Sequence, residues 1–120
     1  MAYALAAGLI DIGFAIFHAS FWKLFGWPER LEASGPVNAA ITQTLNAVLI
    51  YVFVIYGSVL LGFALGGRPA PHVLAMGGAG FWALRALLQP FQFSMKAWPS
   101  VAMLMVFIIA AIAHGLAGEP

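Results

Sequence analysis

Four continuously apolar stretches, residues 3–25, 38–65, 72–93 and 99–116, take up nearly the whole of this sequence. Each approaches or exceeds the roughly 20 residues that a helix needs to cross about 30 Å of hydrocarbon. Lipid offers no partners to backbone N–H and C=O groups, so a spanning chain closes its hydrogen bonds within helices or a closed barrel. These stretches lack the alternation of a barrel strand and read as helices. The expected fold is all-α: a polytopic membrane protein, one transmembrane domain over residues 1–120, with four transmembrane helices in an up-down-up-down bundle. Composition agrees, because 8% of the residues are charged against roughly 25% in a soluble domain. A water-soluble fold would have little polar surface to present.

The connections are short. Residues 26–37, "GWPERLEASGPV", contain helix breakers at Pro28, Gly35 and Pro36, with Ser34 placed to cap the next helix and Pro36 just inside its start. Residues 66–71, "GGRPAP", and 96–99, "KAWP", read as tight turns, so sequential helices are expected to be antiparallel. The first stretch has no basic start and no small-residue cleavage site after a short apolar core, so it reads as a retained helix rather than a secretory signal. The absence of cysteine excludes disulfides, thiolate metal sites and cysteine nucleophiles. A formal net charge of +1 gives no reason to expect nucleic acid.

Four crossings put both termini on one face. The opposite face holds Lys23, Arg30 and Lys96, whereas the termini face has Arg68, so the positive-inside bias places the termini in the periplasm of a bacterial inner membrane. Phe21, Trp22, Phe25, Trp27, Phe91, Phe93 and Trp98 crowd the boundary opposite the termini as an aromatic belt. Trp-Pro pairs at Trp27-Pro28 and Trp98-Pro99 accompany both turns there, but the helical positions around them do not align as a duplication would require.

Ionisable groups within a span cost about 2.5–3.5 kcal/mol each on insertion scales, so each needs a partner, a cavity or a function. Asp11 and His18 stand two turns apart on one helix face; Gln43 and Asn46 are neighbours on the second helix; Arg85, Gln89 and Gln92 form a stripe on the third. Counting about 1.5 Å per residue from the termini face puts Asp11 at roughly 13 Å, Arg85 at roughly 20 Å and His18 at roughly 24 Å. An inward-facing arrangement would gather His18, Gln43, Asn46, Arg85 and Gln89 as a ligand-binding set and bring Asp11 towards His114 as a proton- or ion-coupling pair. The same groups also serve as interhelical glue at about 0.6 kcal/mol per hydrogen bond, the reading that suits Gln43, Asn46 and Gln92. An Arg85–Asp11 ion pair would be structural or functional; sequence alone leaves both open. His18 and His114 are candidate haem ligands, but on separate helices and at depths roughly 15 Å apart they do not suit a single haem. Pro90 is expected to kink the third helix near Arg85. Spacings of four at Ser58, Gly62 and Gly66 and at Ala75, Ala79 and Ala83 mark faces for close helix approach.

The segments "HASFWKLFGWP" at 18–28, "NAAITQTLN" at 38–46 and "FWALRALLQPFQF" at 81–93 together resemble a pattern in small uncharacterised bacterial four-helix membrane proteins. That resemblance covers most of the first three helices. It implies that His18, Asn38, Gln43, Asn46, Arg85 and Gln89 form a shared polar framework, and it brings no activity with it. Size and helix count are also similar to the small multidrug resistance transporters, in which an acidic residue of the first helix is essential, as Asp11 would be. The surrounding "LIDIGFA" and the rest of the chain depart from their motifs. Fluoride channels of similar size differ in lacking any counterpart here to their glycine-rich start and paired phenylalanines.

No serine–histidine pair, metal-binding motif or phosphate loop is present. The leading expectation is a non-enzymatic membrane protein with a polar pocket for a small ligand, lipid or quinone, acting as a homo-oligomer or as an accessory subunit of a membrane complex. Two alternatives are a proton-coupled small transporter using Asp11 and a b-haem redox protein using His18 or His114.

Overall fold

A computed structural model describes all residues, Met1–Pro120, and every regular element in it is helical. The helices are α1 (Ala2–Ala19), α2 (Phe21–Leu24), α3 (Pro36–Leu65), α4 (His72–Gln92) and α5 (Trp98–Leu116), with a 3-10 segment at Glu29–Ser34. Three of them, α1, α3 and α5, are long and apolar enough to cross a membrane. At 21 residues α4 has the length, but Arg85, Gln89 and Gln92 dilute its apolar character.

The first apolar stretch does not form one helix to residue 25. It breaks at Ser20, whose hydroxyl donates back to the Phe17 carbonyl, the local bonding by which serine competes with helix continuation. Ser34 does not cap α3 either. Its hydroxyl donates to the Leu31 carbonyl at 2.6 Å, and Pro36 opens the helix directly after Gly35. At its other end α3 stops in a Schellman arrangement: Gly67 turns left-handed with φ +67°, Gly67 N–H donates to Ala64 O and Arg68 N–H to Phe63 O.

The chain divides into two compact units, Gly8–Val59 and Met1–Ala7 with Leu60–Pro120, so that α1 and α3 each contribute to both. Within Gly8–Val59, α1 and α3 run antiparallel. Asp11 lies by Gly57, Phe14 meets Phe53 with ring centroids 6.0 Å apart, and His18 reaches Asn46. The two backbones approach most closely at Gly57, where a methyl group would stand 3.0 Å from the Asp11 Cβ, the Gly8 carbonyl oxygen and Ile12 Cγ1. Beyond α1 the boundary aromatics pack edge to face, Phe21 on Phe17, Phe25 and Trp27, and Trp22 on Trp27.

In the other unit α4 and α5 form a second antiparallel pair. Gly78 faces His114, Trp82 stacks on Phe107 with centroids 5.8 Å apart, and Gln89 meets Ser100. Ala75, Trp82, Phe107, Ala110 and Ala113 fill the seam. At one end of this unit Met1 Sδ lies 3.5 Å from where a side chain on Gly67 would begin, and Ala70 N–H donates to Ala117 O at 2.9 Å. Both termini and the 66–71 connection therefore share one end.

Candidate functional site

Four side chains of the Gly8–Val59 unit bond in two pairs across its helices. His18 lies in the last turn of α1, where helix carbonyls lose their intrahelical donors, and Asn46 Nδ2 donates to its carbonyl at 2.9 Å. That bond commits the Asn46 amide nitrogen and leaves Oδ1 as the acceptor of the 2.7 Å contact with His18 Nδ1. His18 Nδ1 is accordingly the protonated ring nitrogen. Trp22 Nε1 donates to Gln43 Oε1 at 3.0 Å, and Gln43 Nε2 donates to the Ala39 carbonyl within its own helix. His18 thus pairs with Asn46, and Gln43 with Trp22, a partner that the sequence did not point to. These bonds tie the end of α1 and the start of α2 to α3.

Asp11 and His114, 1% and 0% exposed, are among the most deeply buried side chains. Asp11 sits where α1 and α3 come closest. The His114 ring packs against Gly78, where an added methyl group would overlap the imidazole, and its Nδ1 lies 2.7 Å from the Ala110 carbonyl one turn back. That carbonyl can only accept, so Nδ1 is again the protonated nitrogen.

Arg85 and Gln89 occupy one face of α4, a single turn apart. The half-buried Arg85 guanidinium lies over the ring of Phe107 at 4.3 Å and that of Phe93 at 5.3 Å. Such contacts supply roughly 0.5–2 kcal/mol but accept none of the five N–H donors in conventional hydrogen bonds. The α4–α5 pair offers no carboxylate to do so, because no Asp or Glu occurs between His72 and Leu116. Gln89, 2% exposed, donates from Nε2 to the Ser100 carbonyl and hydroxyl at 3.1 and 3.0 Å. The carbonyl is an acceptor only, which fixes the amide orientation. Gln89 Oε1 is left buried with no hydrogen-bond donor, an arrangement that costs about 1–3 kcal/mol.

No family model, curated protein or solved structure matches the chain. No three His, Asp or Glu side chains cluster as a metal-ligand set. Arg85 with Gln89 instead presents a cationic donor fork one helical turn from a carbonyl acceptor, the guanidinium lying against the rings of Phe93 and Phe107. Sequence reasoning identified Arg85 and Gln89 but missed Phe93, Phe107 and Ser100 as the groups that hold them. A serine just after Trp-Pro reads as a helix boundary, and nothing in its neighbourhood signals a partner on α4.

Proposed function

We propose that this chain is a small non-enzymatic integral membrane protein that crosses the bilayer four times and binds a small ligand, lipid or quinone through Arg85 and Gln89. The observation that carries this reading is an arginine one turn from a donorless glutamine oxygen, on a helix pair without a carboxylate. Intramembrane cations are retained where they have a partner or a task. The four-crossing topology is supported by the shared end of both termini and the 66–71 connection, which calls for an even number of passes. The charge of Lys23, Arg30 and Lys96 against Arg68 supports a bacterial inner membrane orientation with the termini periplasmic. Large apolar side chains exposed along α3 and α5 suit lipid, a second copy or a larger membrane complex.

The reading is tested by extraction and by what the protein carries. The chain is expected to resist alkaline extraction from membranes and to retain a small molecule through purification in mild detergent, with Arg85→Ala lowering the retained amount. Release by alkali would overturn the membrane assignment, and equal retention by Arg85→Ala would overturn the site.

A further inference from the structure

We propose that Arg85 and Gln89 hold the head of an anionic phospholipid bearing a hydroxyl group, the guanidinium taking phosphate oxygens and the Gln89 carboxamide oxygen taking the hydroxyl. This rests on the membrane reading above and names the ligand of that same site. Two complementary requirements select the ligand. Arg85 offers a positive, planar donor fork suited to a phosphate or carboxylate, and no acid between His72 and Leu116 competes for it. Gln89 requires a donor, since Ser100 holds its nitrogen and Oε1 has none.

Other membrane amphiphiles meet one requirement and fail the other. An ionised fatty acid brings an oxyanion but no donor. A quinone brings acceptors without charge. Phosphatidylcholine has a phosphate, but its quaternary ammonium cannot donate. The ammonium of phosphatidylethanolamine donates, yet it would stand beside a guanidinium with no carboxylate on this helix pair to offset the repulsion. A glycerol headgroup supplies both a net negative phosphate and hydroxyl donors. The exposed Leu88 and Phe91 on α4, with the exposed Phe93 just past its end against the Arg85 guanidinium, suit acyl chains better than a water-soluble phosphate ester.

The test uses the full-length protein, delipidated in mild detergent and then offered phosphatidylglycerol or phosphatidylcholine, with bound lipid counted by native mass spectrometry. Phosphatidylglycerol is expected to be retained about tenfold better, with Arg85→Ala abolishing the preference and Arg85→Lys, which keeps charge but loses the fork, reducing it. Gln89→Met, close in volume, should narrow the preference while helical circular dichroism is unchanged. Lys96→Ala controls for diffuse surface charge. Equal retention of the two lipids by the wild type, or a preference that survives Arg85→Ala but disappears in Lys96→Ala, would overturn the proposal. Free glycerol 3-phosphate at millimolar concentration should not displace the lipid, and displacement would reassign the site to a soluble phosphate ester. A protein that resists alkaline extraction yet shows no lipid preference refutes this inference alone, whereas one released by alkali refutes the membrane reading beneath it.

Discussion

Gly57 and Gly78 stand where each helix pair is tightest, one against Asp11 and the other against His114. Alanine at Gly78 would drive a methyl group into the imidazole and should lower stability by about 1–3 kcal/mol through overpacking. Gly62 has open space around it, so Gly62→Ala is expected to be neutral or to stabilise by about 0.5–1 kcal/mol through helix propensity. Thermal unfolding of the two variants in detergent checks the contrast, and equal midpoints would mean that the Gly78–His114 contact does not set the helix separation. Asn46→Leu removes both bonds to His18 and should cost about 1–2 kcal/mol in the same assay, on the scale of intramembrane hydrogen bonds. The polar residues themselves were legible in the sequence, because a charge or amide in an apolar run is conspicuous. The contact glycines were not. Spacing by four points to Ser58, Gly62 and Gly66, all three of which are exposed, since small residues mark a permissive face without fixing which one a partner helix takes.

At the level of elements, apolar runs closed by glycine and proline gave the bounds of α3, α4 and α5 almost to the residue. The first apolar run conceals its break, because the interruption at Ser20 accompanies a single hydroxyl turning back on its own backbone. At 30 residues α3 extends about 45 Å, longer than a hydrocarbon layer, so as a membrane span it would tilt or project beyond that layer. The connection before it depends on Gly35, whose φ of 91° and ψ of 158° lie in a region essentially restricted to glycine. Nothing would obstruct a side chain there. Gly35→Ala thus isolates backbone strain from crowding, and a loss of about 1–3 kcal/mol is expected on unfolding. A variant as stable as the wild type would show that the connection relaxes without cost. The antiparallel pairing of α1 with α3 and of α4 with α5 was legible from connection length, but the register was not. Which residue meets which is decided by side-chain volume at the seam, as with Trp82 on Phe107.

For the whole molecule, the absence of native cysteine makes single-cysteine labelling unambiguous. Ser34→Cys and Ser94→Cys should react with an impermeant thiol reagent from one side of sealed vesicles, and Arg68→Cys and Glu119→Cys from the other. Labelling of positions 34 and 94 from opposite sides would overturn the proposed four crossings, leaving three with α4 outside the membrane. The last residues of the chain are more than a trailing end, because the Ala117 carbonyl grips the amide of Ala70 and both residues are buried. That bond works as a clasp, closing the hairpin on the strap of chain that leads into it. A reporter fused after Pro120 would hang from a fixed post, whereas clipping the chain ahead of Ala117 would let the strap go slack.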